Sequence, residues 1–157
     1  MDTTITTDLF TRQMSDVLDE IFEQHHGIFL DENNSIFDTL NTINAGEASQ
    51  PVGGKCATLA AQVAHVTFYL DVVERFIRTQ ASERVDWGEV WRTVDVVAPQ
   101  EWEGLRQDLK RAYQKVLDLF RNMPDWNDEI SLGGMLGIMV HTAYHLGEIR
   151  QALCTLK

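Results

Sequence analysis

Two histidines four residues apart, His141 and His145, fall in a helically periodic stretch near the end of a 157-residue chain. On an α-helix that spacing leaves them about 40° apart around the axis and about 6 Å along it. Both imidazoles therefore face one way and can reach one cation. Their stripe runs Gly134, Ile138, His141, His145, Glu148 and Ala152, immediately beside an apolar seam. His65 occupies the equivalent flanking stripe of an earlier stretch, in the series Thr58, Gln62, His65, Tyr69, Val72 and Phe76. If the two helices are neighbours, three imidazoles converge at a seam edge, part core and part groove. Three neutral imidazole nitrogens at about 2.0–2.1 Å suit a divalent transition metal and leave a coordination position open for water or substrate. Such a metal lowers the pKa of bound water towards 7 and deprotonates a bound thiol. The competing reading of His65 is a hydrogen-bonded core histidine.

Glu148, three residues beyond His145, is the candidate catalytic residue. It can orient an imidazole, accept a proton or ligate, or be a plain half-exposed helix carboxylate. Tyr69, Tyr144 and Gln62 are placed to line a pocket, with ordinary packing as the alternative, and Met135 and Met139 read as core filler. His25 and His26 differ from the other three. They close a helical run ahead of Gly27, where a cation complements the helix dipole. Glu23-Gln24-His25-His26 contains a Glu-x-x-His, but di-iron bundles need that motif twice and no second copy occurs.

Four helically periodic stretches must position these residues, and none alternates like a strand. The first carries Phe10, Met14, Val17, Ile21 and Phe22 and is expected to end at His25-His26-Gly27. A short helix is expected from Ser35, capped in Ser35-Ile36-Phe37-Asp38, and residues 45–55 read as loop on their Gly and Pro content. The second has Leu59, Val63, Val66, Leu70, Val73 and Ile77 at alternating spacings of four and three. The pattern lapses between Thr79 and Ala98, where Asp86-Trp87-Gly88-Glu89 can cap one turn and Trp87 and Trp91 are expected to fold over the bundle as apolar plugs. Pro99 suits the first turn of the third helix, seamed by Leu105, Leu109, Ala112, Val116, Leu119 and Met123 and stopped by Pro124. Ser131 is expected to cap the fourth, seamed by Met135, Met139, Thr142, Leu146, Ile149 and Leu153. Four apolar stripes predict an all-α, four-helix bundle, and the long connections after the first two helices allow crossovers.

Length predicts one domain over residues 1–157, large enough to fold without disulfide or metal. Thirteen Lys+Arg against 24 Asp+Glu give a net charge of −11, so nucleic acid and anionic membrane are poor partners. Arg92, Arg150 and Lys55 can make a local exception to that acidity. The acidic, polar start MDTTITTDLF lacks the form of a secretory signal, and no window is apolar enough to span a bilayer. Cys56 and Cys154 form no CxxC and read as reduced thiols, which points to the cytoplasm.

Two runs carry a resemblance: Ala61-Gln62-Val63-Ala64-His65-Val66-Thr67-Phe68-Tyr69-Leu70 and His141-Thr142-Ala143-Tyr144-His145-Leu146-Gly147-Glu148-Ile149-Arg150-Gln151. The second, with its H-x3-H-x-G-E-I core, is the more specific. With them, over nearly its whole length, the chain resembles the DinB-like superfamily, which includes the YfiT-type metalloenzymes and thiol-dependent S-transferases. The resemblance implies a compact bundle in which His65, His141 and His145 bind a divalent ion, commonly nickel or zinc. It further implies a homodimer and, in some relatives, transfer through a low-molecular-weight thiol such as mycothiol, bacillithiol or glutathione. The chain departs from the pattern at Lys55-Cys56, where relatives often carry Trp or His after the Gly-Gly pair.

Three functions are therefore weighed. The first is a metal-dependent transferase or hydrolase in which an activated thiol or water attacks a small electrophilic molecule. The second is a non-catalytic binder of a metal or small ligand. The third is an interaction scaffold whose histidines hold no metal.

Overall fold

The computed structural model describes residues 5–51, 56–81 and 83–156. Within them seven helices form: α1 (Thr7–Phe22), α2 (Ile36–Asn41), α3 (Ala45–Ala48), α4 (Leu59–Thr79), α5 (Glu89–Thr93), α6 (Pro99–Arg121) and α7 (Glu129–Leu156). Among the described residues there is no strand, only an isolated bridge between Pro51 and Thr58. Among the described residues no helix is long and apolar enough to cross a membrane.

Local chemistry accounts for most of the boundaries. Thr6 and Thr58 accept from Leu9 N and Ala61 N and so start α1 and α4. Pro99 opens α6 while Glu101 Oε2 accepts from Ala98 N at 2.7 Å. Ser35 caps α2 as expected, with one difference: its own hydroxyl donates to Asp38 Oδ2 at 2.8 Å, because an Asp is too short to reach back to the cap N–H.

Three boundaries differ from the sequence expectation. First, α1 ends at Phe22, before the histidine pair. Glu20 is fully buried there, and its carboxylate accepts from the N–H groups of Ile28, Phe29 and Leu30, which bends the chain back through Gly27 at φ 75°. Burial pushes the Glu20 pKa up, but those N–H donors outweigh it and hold it below the usual carboxylate value. Second, residues 45–48 are helical, because Asn44 and Glu47 form a reciprocal capping box. Third, Ser131 is not the cap of α7. Asp128 Oδ1 takes that role by accepting from Ser131 N at 2.7 Å, and the Ser131 hydroxyl instead accepts from Gln80.

The four long helices share one core, with α2 and α3 packed at its edge. α4 is its hub, packed against α6 on one side and α7 on the other, while α1 lies against α7 and α5 against α4. Phe22 stacks on Tyr113 at 4.2 Å between ring centres, and the buried Trp102 indole donates to Ile43 O, joining α6 to the chain after α2.

The α4–α7 pair sets the site. The helices run antiparallel: Ile77 lies against Gly134, Tyr69 against Gly137, and His65 against His141 and His145. A Cβ on Gly134 would meet Ile77 Cδ1 at 2.7 Å, and one on Gly137 would meet the Tyr69 hydroxyl at 2.9 Å. The missing side chains let α7 approach α4 closely just before its two histidines.

Candidate metal centre

His65 sits in the second turn of α4, and His141 and His145 sit one turn apart on α7. His65 and His145 are buried, with 7% and 6% of their surface exposed, and His141 is half-buried. The ring centres of His65 lie 5.0 Å from each of the others, and those of His141 and His145 lie 4.5 Å apart. One potential ligand nitrogen from each ring falls within 4.8 Å of the other two. The three residues singled out by spacing are thus brought together, and His25 and His26 are not. His26 instead pairs with Asp19 at 2.6 Å, a hydrogen bond that raises its pKa.

A buried polar atom normally has a partner, and one without it carries a desolvation cost of about 1–3 kcal/mol. Here His65 Nδ1 and His141 Nε2 are buried without a hydrogen bond, and His145 Nδ1 has only the Glu148 carboxylate beside it, at 2.9 Å. Each neutral ring keeps one nitrogen with a free electron pair, and three such rings side by side can offer those pairs to one cation. A proton does not occupy them. Burial first, and then the neighbouring His145, push His65 down to about 4 against an upward pull from Glu148. Burial, with His145 and His65, pushes His141 to about 4 as well. His145 is lowered by burial, partly countered by Glu148. The rings are therefore neutral at physiological pH, the form in which imidazole ligates. Ligands at 2.0–2.1 Å around a tetrahedral ion lie about 3.4 Å apart, so small ring rotations suffice to close the cluster.

Glu148 Oε2 approaches His145 Nδ1 to 2.9 Å, but off the axis on which that nitrogen would form an aligned hydrogen bond. It places negative charge beside the cluster, and it also engages the Tyr144 hydroxyl, which raises the tyrosine pKa. Carboxylates next to ligating histidines commonly fix ring orientation and basicity.

Around the rings stands an aromatic wall. Trp91 of α5 stacks on His65 with centres 4.3 Å apart, and Tyr69 stacks on His141 at 3.7 Å. Trp87 lies 5.7 Å from Tyr69, and Tyr144 lies 5.1 Å from His145. The expectation that Trp87 and Trp91 fold over the helices is met, with a more specific consequence: Trp91 covers His65 while Trp87 lies on Phe68 and Tyr69, and they keep 38% and 41% of their own surface exposed. Trp91 also lines a cavity of about 480 Å³, together with Cys56, Thr58, Arg92 and Asp95 among others. Arg92 there is paired with Asp86 at 2.5 Å, and Arg150 reaches Thr39 instead, so neither is a free cation beside the rings. Lys55 lies outside the described residues; Cys56 and Cys154 are exposed free thiols.

Sequence spacing missed Gly137 and the part played by Gly134. The available clue was Gly133-Gly134-x-x-Gly137 one turn ahead of His141, which places two small residues on one helical face. Searches against protein-family models, curated proteins and solved structures match nothing to this chain.

Proposed function

We propose that this chain is a DinB-like, single-domain four-helix bundle whose three histidines hold a divalent cation, nickel or zinc, for a reaction of a small molecule with a low-molecular-weight thiol or water. The observation that carries the reading is the convergence of three uncharged imidazoles, two buried and one half-buried, each with one nitrogen within 4.8 Å of a nitrogen of the other two. Bound there, the cation supplies a Lewis acid that acidifies a thiol or water. The chain's own contributions follow from its contacts. His65 and His145 hold their places because both are packed on rigid helices, not on loops. Glu148, beside His145 and at the wet edge of the cluster, is the group positioned to take up and return a proton. Trp91 and Tyr69 keep bulk water off two of the rings and shape the space for an apolar or planar guest. The resemblance to thiol-dependent S-transferases favours transfer over hydrolysis.

Metal analysis of freshly purified protein and of the His65→Ala/His141→Ala/His145→Ala variant tests the centre. The reading expects close to one nickel or zinc per chain, lost in the variant, and a rate with a thiol and an electrophile above that of free metal. Metal-free protein whose stability is unchanged by the triple substitution refutes it. A second reading, a non-catalytic metal binder, is favoured by Trp91, whose ring lies directly over His65. Metal uptake without turnover for any thiol selects it.

A further inference from the structure

Arg150 is a cation that the three-histidine cluster leaves unused. It follows His141 by nine residues, about two and a half helical turns, and so projects from the opposite side of α7. Its one protein contact is a long hydrogen bond, with Nη1 donating to Thr39 Oγ1 of α2 at 3.4 Å. Among the described lysines and arginines it alone is half-buried with no carboxylate partner. Arg106, also half-buried, is paired with Glu103, and the others that lack a partner are exposed. That position is unusual in a chain of net charge −11, because a charge drawn out of water is normally neutralised. Most of the N–H donors of this guanidinium have no protein acceptor.

Arg150 lines a cavity of about 430 Å³ with two apolar walls, Phe29 and Leu30 on one side and Ala143 and Leu146 of α7 on the other. The first wall is held in place, since the buried Glu20 carboxylate accepts from the N–H groups of both Phe29 and Leu30. Phe29 nonetheless keeps 47% of its surface exposed, apolar area that a guest can cover. Gly147 keeps the space open, because a Cβ there would meet nothing within 4 Å. The volume falls in the range of small-molecule sites, about 300–1,000 Å³.

A planar guanidinium with free N–H groups matches a carboxylate, which it can hold by two parallel hydrogen bonds. The walls call for a hydrocarbon chain or ring beside that carboxylate. A single negative charge suits the site better than the two of a phosphate, because the acidic chain repels anions in proportion to their charge. We propose that this cavity binds a small monocarboxylic acid, its carboxylate on Arg150 and its hydrocarbon part between Phe29 and Leu146. The site lies on the far face of α7 from the three histidines, and its occupancy can be read whether or not they hold a metal.

The probes are octanoate, its uncharged counterpart octanamide, and acetate, which has the charge without the chain. Each is titrated against the rate at which iodoacetamide alkylates Cys154, an exposed thiol that also lines the cavity. A Cys56→Ser background leaves Cys154 as the one thiol of the chain. Octanoate is expected to protect it saturably, with octanamide and acetate at least about 10-fold weaker. Arg150→Gln should weaken octanoate about 10- to 100-fold, the range of hydrogen bonds to a charged group, and remove its advantage over octanamide. Arg150→Lys should keep part of that advantage. Gly147→Leu, which retains Arg150 and fills the open space, should weaken octanoate too, with the melting temperature held or raised. No protection by octanoate, or equal protection by octanoate and octanamide, overturns the proposal. Octanoate binding unchanged in both Arg150→Gln and Gly147→Leu overturns it as well. Acetate as effective as octanoate does the same, by showing an anion contact without a hydrocarbon site.

Discussion

Acidification from pH 7.5 to 5.5 should barely weaken metal binding, although ordinary histidines would lose it. Protons compete with a cation for each ring, so the apparent dissociation constant is multiplied by one plus the ratio of protonated to neutral ring for every ligand. Three rings at the ordinary value of about 6.5 would each contribute a factor of about 11 at pH 5.5, or about a thousandfold together. In this site His65 and His141 are held at about 4 by burial and by their neighbouring rings. Each then contributes a factor of about 1.03 at the same pH. His145 is lowered as well, and even an unshifted ring there would add only about 11-fold. The expected weakening is therefore at most about tenfold. Competition against a chromophoric chelator of known proton affinity measures it directly. A loss near a thousandfold would show the rings to be solvated and ordinary and would refute the buried, neutral cluster. The metal-free protein carries the complementary sign. A ring whose folded pKa is depressed gives stability that is complete above about 6.5 and declines as pH falls towards 4, so His65 alone should cost about 2 kcal/mol by pH 5, read from denaturant melts.

Other perturbations have separate readouts. Glu148→Gln should weaken metal affinity or turnover by about 10- to 100-fold with little change in melting temperature, since the residue is half-exposed and acts through His145. Glu20→Gln removes the charge that three backbone N–H groups converge on and should cost about 2 kcal/mol. Because the Glu20 pKa is depressed, the wild type should lose this advantage as pH falls through the carboxylate range, and the variant should lack that slope. Gly134→Ala gains about 1 kcal/mol of helix propensity but drives a methyl into Ile77 and Val73; a net destabilisation of about 1 kcal/mol, with looser metal binding, is expected from melts and chelator competition. Val140→Glu tests the homodimer: Leu136, Val140 and Tyr144 are exposed on the outer face of α7, a helix with three charged residues in 28, and an uncharged face is where two copies of a −11 chain can meet. Light scattering should show a dimer that becomes monomeric in the variant; a wild-type monomer would dismiss that assembly.

What could be read from residue order and what could not separates along a physical line. Helical period is a local property, so α4, α6 and most of α7 were legible from their apolar spacing, and so was the common face of His141 and His145. That His65 would join them needed one further fact, the adjacency of two helices far apart in sequence. No period encodes that fact; it is written in Gly134 and Gly137, which act by lacking side chains and so leave no mark on a hydrophobic pattern. The end of α1 was missed for a related reason. Glu20 lies on a stripe that spacing marks as polar, yet tertiary packing buries it and folds three N–H groups onto its carboxylate, ahead of the histidines that looked like a terminal turn.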